Sequence, residues 1–240
     1  NGNYNVKVNG VDAAGNVTCA SRSIKLDKSV AAASVDIYYP LNGERKQGAF
    51  TITGFVRAER KVTELALMVD GKQVAVAEPK ETGYYHFPIE AEQFADGIHS
   101  YKIQATLDNG SKINSIQQTF DYMAYGPWVR IDNFDYGDFA YERPKIKGVA
   151  GYSISQADIE SANMKGATKE QKDDLASRSV KCVEVSWDNG RTFKQISKKA
   201  KWSIRIEDED LKPGYHFMLI RAKMNNGEVA ITRCIIQIDK

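Results

Sequence analysis

Cysteine is scarce in this chain, histidine equally so, and membrane-length apolar runs are missing. The three cysteines, Cys19, Cys182 and Cys234, form no CxxC pair, which excludes a zinc knuckle and a disulfide-dense scaffold. Cys182 and Cys234 fall in one expected domain. Cys234, however, shares the strand parity of Ile236 and Ile238, whereas Cys182 alternates against Val183 and Val185. Both therefore read as buried or half-buried free thiols. With only His86, His99 and His216 available, no serine or cysteine has the sequence context of an activated nucleophile, and the chain reads as non-enzymatic. No run approaches the roughly 18 apolar residues of a membrane-spanning helix. A dominant charge is missing too: 33 basic and 31 acidic residues leave a net charge of +2. The two signs interleave, which gives no electrostatic footprint for nucleic acid or an anionic membrane. The chain opens on Asn1 without a leader pattern, so it reads as the C-terminal part, or an excised piece, of a longer protein.

What is present is a repeat. Gly2, Gly97 and Gly214 each open a strand-like run, and at one common spacing each is followed by a second glycine, Gly15, Gly110 and Gly227. Apolar or aromatic residues recur at alternate positions: Tyr4, Val6, Val8; His99, Tyr101, Ile103; His216, Met218, Ile220. Period-two alternation marks a strand with one buried face. Asn109-Gly110 and Asn226-Gly227 are tight-turn pairs, and a polar return strand closes each copy near Asp27, Asp121 or Asp239. A period of roughly a hundred residues marks tandem domains and not a solenoid.

Upstream of the hairpin the two complete copies agree as well. Ile52-Thr53-Gly54 matches Ile146-Lys147-Gly148, Val69-Asp70-Gly71 matches Trp187-Asp188-Asn189-Gly190, and Phe87 and Ile89 match Trp202, Ile204 and Ile206. Short strands with frequent turn signals predict β-sandwiches. The organisation expected is a closing hairpin over 1–28, a sandwich over 33–123 and another over 127–240, joined by a plain linker at Lys28–Ser34 and an aromatic one at Asp121–Trp128. The aromatic linker is expected to pack between the domains. The last copy carries an insertion, Ser155–Ser179, in which Thr168-Lys169-Glu170-Gln171 is a capping box opening a short helix through about Ala176. Its apolar residues Ile159, Met164 and Leu175 suffice to pin it down.

Tyr4-x-Val6-x-Val8 running into Asp12-Ala13-Ala14-Gly15-Asn16 resembles the closing hairpin of bacterial Ig-like domains. The middle copy is similar to the same family through Ile37–Gly43, Val69-Asp70-Gly71 and Asp96-Gly97. The last copy, through Val183–Gly190, Trp202 and Arg221-Ala222, also resembles the Ig-like dimerisation domain of sulfite-oxidase-type enzymes. The resemblance implies an all-β chain of tandem Ig-like sandwiches. It further implies an extracytoplasmic bacterial setting (cell surface, secreted or periplasmic) and a structural or protein-binding role, adhesion included, or that of a spacer. The alternative it leaves is an accessory module of a secreted carbohydrate-active enzyme, with glycan as partner.

Candidate chemistry reads mostly as structure. Ser186–Phe193 matches a single Asp-box, which without blade-spaced copies is a hairpin turn held by an aspartate. His99 and His216 share one repeat position and read as half-buried histidines bonded back to the chain. Glu207–Asp210 and the domain-end aspartates lack a complete calcium ligand set, so they read as solvated acidic turns, and no cofactor or metal is expected. Tyr38, Tyr39, Phe134, Tyr136, Phe139 and Tyr141 form either an aromatic platform or interdomain packing. The insertion is the leading suspect, because a long loop in a compact sandwich often has a role. By Ig topology it lies at the same end as Asn225–Gly227. Ile159, Met164, Lys169, Lys172, Asn225 and Asn226 are the expected partner-binding residues.

Overall fold

The computed structural model describes residues 2–11, 17–26, 33–138, 140, 144–209 and 211–238. The first element is a hairpin of β1 (Gly2–Val11) and β2 (Val17–Leu26), paired antiparallel over the length of both strands. Its apolar face departs from expectation: Tyr4, Val6, Val8 and Ile24 are 51, 44, 62 and 46% exposed. No second sheet covers them among the described residues, so the alternation builds a face without a core behind it. Asp12–Asn16, most of the plain linker, Asp27 and Asp239 lie outside the described residues. Ala33 and Ser34, read as linker, already pair with Ala58 and Arg57.

The middle sandwich packs β3 (Ala33–Tyr39), β5 (Phe50–Ala58) and β8 (Tyr84–Ile89) against a second sheet. That sheet has the order β4 (Glu44–Gln47), β11 (Gln118–Met123), β9 (Gly97–Leu107), β6 (Val62–Val69), β7 (Lys72–Ala77), with β10 (Lys112–Asn114) added to β9. The alternation in β9 puts Tyr101, Ile103 and Ala105 into a core with Ile52, Leu65, Leu67, Phe87 and Phe120. The last sandwich repeats the plan. Its first sheet is β12 (Gly126–Ile131), β13 (Lys145–Ser153) and β16 (Lys201–Arg205). The second runs β15 (Lys194–Ser197), β14 (Val180–Ser186), β17 (Gly214–Met224), β18 (Val229–Ile238). Met218, Ile220, Cys234 and Ile236 join Ile146, Val183, Val185, Trp202 and Ile204 in its core. The fold is all-β, tandem Ig-like sandwiches with a helical insertion.

Asp70-Gly71 turns with positive φ at both residues (49 and 78°), the left-handed pair that a two-residue hairpin turn requires, and Asn189-Gly190 (59 and 84°) makes the same bend inside the longer β14–β15 loop. Cys182 departs from its parity. The register of β14 on β17 shifts between Val180 and Cys182, so Cys182 and Val183 are both buried. Cys182 and Cys234 are free thiols.

The aromatic linker is mostly strand. β11 runs to Met123 and β12 begins at Gly126, leaving only Ala124-Tyr125 between them. Tyr122 is in the middle core, and Trp128 lies where Gly48 and Gly151 leave room, a Cβ on either falling 2.3 or 2.5 Å from its ring. Polar bonds cross the junction on several elements. Arg233 Nη2 donates to Glu44 at 2.8 Å, Tyr84 Oη to the Gly137 carbonyl at 2.9 Å, and Thr51 Oγ1 to the Ile131 carbonyl at 3.2 Å. Asp135, wholly buried, pairs with His86 Nδ1 at 3.0 Å and with the Lys80 ammonium.

Candidate functional site

The insertion forms two helices where the capping box alone announced one. Helix α1 (Gln156–Asn163) starts at Ser155, whose hydroxyl accepts from the Asp158 amide at 3.1 Å. Helix α2 (Lys169–Ser177) starts at Thr168, and its capping box is complete: the Gln171 amide donates to Thr168 Oγ1 at 3.2 Å, and the Thr168 amide to Gln171 Oε1 at 2.8 Å. The Ser155-x-x-Asp158 spacing was the sequence signal for the first helix. Arg178 clamps the pair, with Nη1 on Asp158 at 2.7 Å and Nη2 on Asp174 at 2.8 Å. Between the helices lies a cleft of about 150 Å³ lined by Ser161, Gln171, Leu175 and this clamp.

The insertion is fastened to the last hairpin turn. The Asn225 amide donates to the Ser179 carbonyl at 2.9 Å, the Asn226 amide to the Ser177 carbonyl at 3.0 Å, and Asn225 Nδ2 to Ser179 Oγ at 2.9 Å. Asn226 Nδ2 also holds Glu228 at 2.6 Å. Tyr152 on β13 is pushed up to about 12 by burial and by its bond to Glu228. The structure thus brings Asn225 and Asn226 onto the C-terminal end of α2. Lys169 and Lys172 are exposed on α2. Met164, 65% exposed at the end of α1, does not anchor the insertion; Ala162, 4% exposed, is buried instead. Ile159 is half-buried.

Elsewhere the candidates are occupied. His99 Nε2 bonds the Ala95 carbonyl at 2.8 Å and its Nδ1 bonds Asp70 at 2.7 Å; His216 Nε2 bonds the Lys212 carbonyl at 2.6 Å. Both histidines therefore bond to the carbonyl four residues back, the bond expected of this repeat position. Burial works against charging His99, but the bonds to Ala95 and Asp70 outweigh it and raise its pKa. The Asp-box is a closed turn. Donors from Thr192 and Ser186 pull the Asp188 carboxyl down to about 2, and Arg221 lies over the Phe193 ring at 3.5 Å. The acidic turn is not wholly solvated: Glu209 accepts from Trp187 Nε1 at 3.1 Å and from Lys194 at 2.9 Å. Asp121 pairs with Arg45 at 2.8 Å. No group of three or more metal-ligating side chains converges among the described residues.

The aromatic set divides. Tyr39 stacks on Tyr136 at 6.0 Å and 8°, Phe134 and Tyr136 pack on the last core, and Tyr38 is half-buried. Phe139 and Tyr141 lie outside the described residues. The junction cluster of Asp135, His86 and Lys80 had no local signal, because Asp135 lies 55 and 49 residues along the chain from Lys80 and His86.

No protein-family model matches the chain, and no curated protein matches it. Among solved structures it is similar to the fibronectin(III)-like modules of Clostridium thermocellum CbhA (15% identity, 85% of this chain and 94% of that one, TM-score 0.32). It is also similar to a tetra-tandem repeat in the extending region of a large adhesion protein (14%, 98% and 57%, TM-score 0.32). A third is the BSP domain of a biofilm-associated protein (11%, 86% and 30%, TM-score 0.40). None of the three is a sulfite-oxidase-type enzyme, and that resemblance rests on the quoted residues alone. At these identities and scores the likenesses carry no functional argument, and the fold rests on the strand order.

Proposed function

We propose that the chain is a non-catalytic structural and interaction segment of a larger extracytoplasmic bacterial protein, and that the insertion with the last hairpin turn is its protein-binding face. One observation carries this reading: two backbone bonds from Asn225 and Asn226 weld the helical insertion to the turn, giving a single exposed end surface on a β-sandwich. Building binding residues on scaffolded loops is the common arrangement in this kind of fold. The described histidines are all held by carbonyls or carboxylates, and the Cys234 thiol is buried with its pKa raised by that burial, which supports a binding role over catalysis.

Replacing residues 155–179 by a short turn is expected to abolish capture of a protein partner from envelope extracts while the thermal melt of the sandwiches is kept. Lys169→Glu with Lys172→Glu in the intact chain is expected to weaken capture at least about tenfold, two charge reversals at a contact being worth more than about 1.4 kcal/mol. Capture that persists in both would overturn the reading. The glycan-module alternative asks for flat exposed aromatics, yet of the candidate set Tyr39 is buried against Tyr136, and Phe134 and Tyr136 pack on the last core. Neutral glycans on an array that keep their signal after the deletion would restore that alternative.

A further inference from the structure

The two complete sandwiches share one plan, so matching positions can be compared within the chain. Gly54 faces Tyr85 and Gly148 faces Trp202 at the same place in each first sheet. In register with these pairs, the outer face of β3-β5-β8 carries Asp36, Thr51, Thr53, Tyr84 and Pro88. The matching positions of β12-β13-β16 carry Arg130, Lys145, Lys147, Lys201 and Arg205. The fold therefore does not call for cations here, and one copy has gathered five of them in a chain whose net charge is only +2.

Arg130 and Arg205 have carboxylates, Asp132 with Glu90 and Glu207 respectively. Lys145, Lys147 and Lys201 pair with none among the described residues. Lys145 stands directly opposite Arg205, and like charges across a pair of strands destabilise the sheet. Lysine on an edge strand guards against edge pairing, which accounts for β16 but not for Lys145 and Lys147 on the central strand β13. The middle copy's face is taken up by the junction through Thr51, Tyr84 and His86. The last copy's face is an open groove of about 350 Å³ lined by Lys145, Lys147, Lys201, Asp132, Val149 and Ser203. Lys198 and Lys199 are exposed on the turn that leads into β16.

We propose that this face binds a linear acidic polysaccharide, its anionic groups lying across Lys145, Lys147 and Lys201 and its hydroxyls meeting Ser203 and Asp132. The charge asks for a polyanion, and the surroundings select among polyanions. Protein interfaces are depleted in lysine and anchor on large apolar or aromatic side chains, and among the described residues the groove offers Val149 and the buried Trp202 alone. Single-stranded nucleic acid needs exposed aromatics for base stacking, and the groove has none among the described residues. This proposal concerns a different face from the insertion and stands apart from the reading above.

Biolayer interferometry on the intact chain, with polygalacturonate, heparin and neutral dextran at 50 and 300 mM NaCl, tests it. Binding to polygalacturonate or heparin is expected, which also tells carboxylate from sulfate, and it is expected to weaken at the higher salt. Lys145→Glu with Lys147→Glu should weaken it at least tenfold, whereas Lys169→Glu with Lys172→Glu, the same charge change in the insertion, should leave it unchanged. Equal loss from both double variants, equal binding of dextran, or binding only to anionic-lipid vesicles or an acidic protein would overturn it.

Discussion

Gly148→Ala is expected to lower the stability of the last sandwich by about 3 kcal/mol, the upper part of the range for overpacked cores. Because the two sandwiches melt together as one unit of about 200 residues, that is a fall of roughly 6–12 °C in the melting temperature. A Cβ on Gly148 would lie 2.1 Å from the Arg130 carbonyl and 2.3 Å from Trp202 Cζ2. The first is backbone of the neighbouring strand, which cannot move aside without opening the β12–β13 ladder. The second is the largest aromatic ring in this core, itself 4% exposed. Trimming the ring in a Gly148→Ala, Trp202→Leu double variant is therefore not expected to rescue stability, because the carbonyl clash remains and the burial of Trp202 is lost. Differential scanning calorimetry reads both. A single variant that melts within about 3 °C of the parent, well below the shift that 3 kcal/mol implies, would show that β12 yields more easily than this packing implies.

Asp135→Ala is expected to uncouple the two sandwiches, so that one calorimetric transition becomes two. The carboxylate is 0% exposed and holds Lys80 and His86 of the other sandwich, whose side chains keep 41 and 36% exposure. Breaking a buried pair costs about 3–5 kcal/mol when the remaining charge is stranded. Here both partners rehydrate, which brings the expected loss to about 2 kcal/mol. Burial alone would raise this carboxyl's pKa, but the bonds to His86 and Lys80 outweigh it and hold the pKa below 3.8. A depressed folded-state pKa means the stabilisation is complete above the unfolded value and is lost as pH falls through the folded one. Acidifying the parent protein below pH 3.8 is thus expected to split its transition as the substitution does at neutral pH. A variant that still melts as one unit, with the rotational correlation time of a rigid pair by NMR relaxation, would place the coupling on Trp128 and the Tyr39–Tyr136 stack instead.

How much of this was legible in the sequence follows the range of each interaction. Strands, turns and the second helix were readable because alternation, Asp70-Gly71, Asn226-Gly227 and Thr168–Gln171 act within a few residues of themselves. The meeting of the insertion with Asn225 and Asn226 was readable from topology. Cys182 was rightly read as a buried or half-buried thiol, but its burial beside Val183 was not legible, because a register shift breaks parity without leaving a mark in composition. Met164 looked like an anchor because it is apolar, yet the short α1 turns Ala162 inward instead. The Asp135 cluster and the lysine face were invisible for another reason. Each gathers side chains from several strands, and interleaved charges along the chain hide what folding collects on one surface. The uncovered face of β1–β2 is the reverse case, a clear local pattern for which the described residues supply no partner.

The parallel pairing of β4 with β11, Glu44 to Gln47 beside Phe120 to Met123, joins the entry and exit ends of the middle sandwich. Tension drawn along the chain through that sandwich would run along these two strands in opposite senses. Their bonds lie across the pull and would share the load together, where a hairpin opened from its end would release them one at a time. Arg45 to Asp121 on the same pair adds a charged tie to that shear clamp.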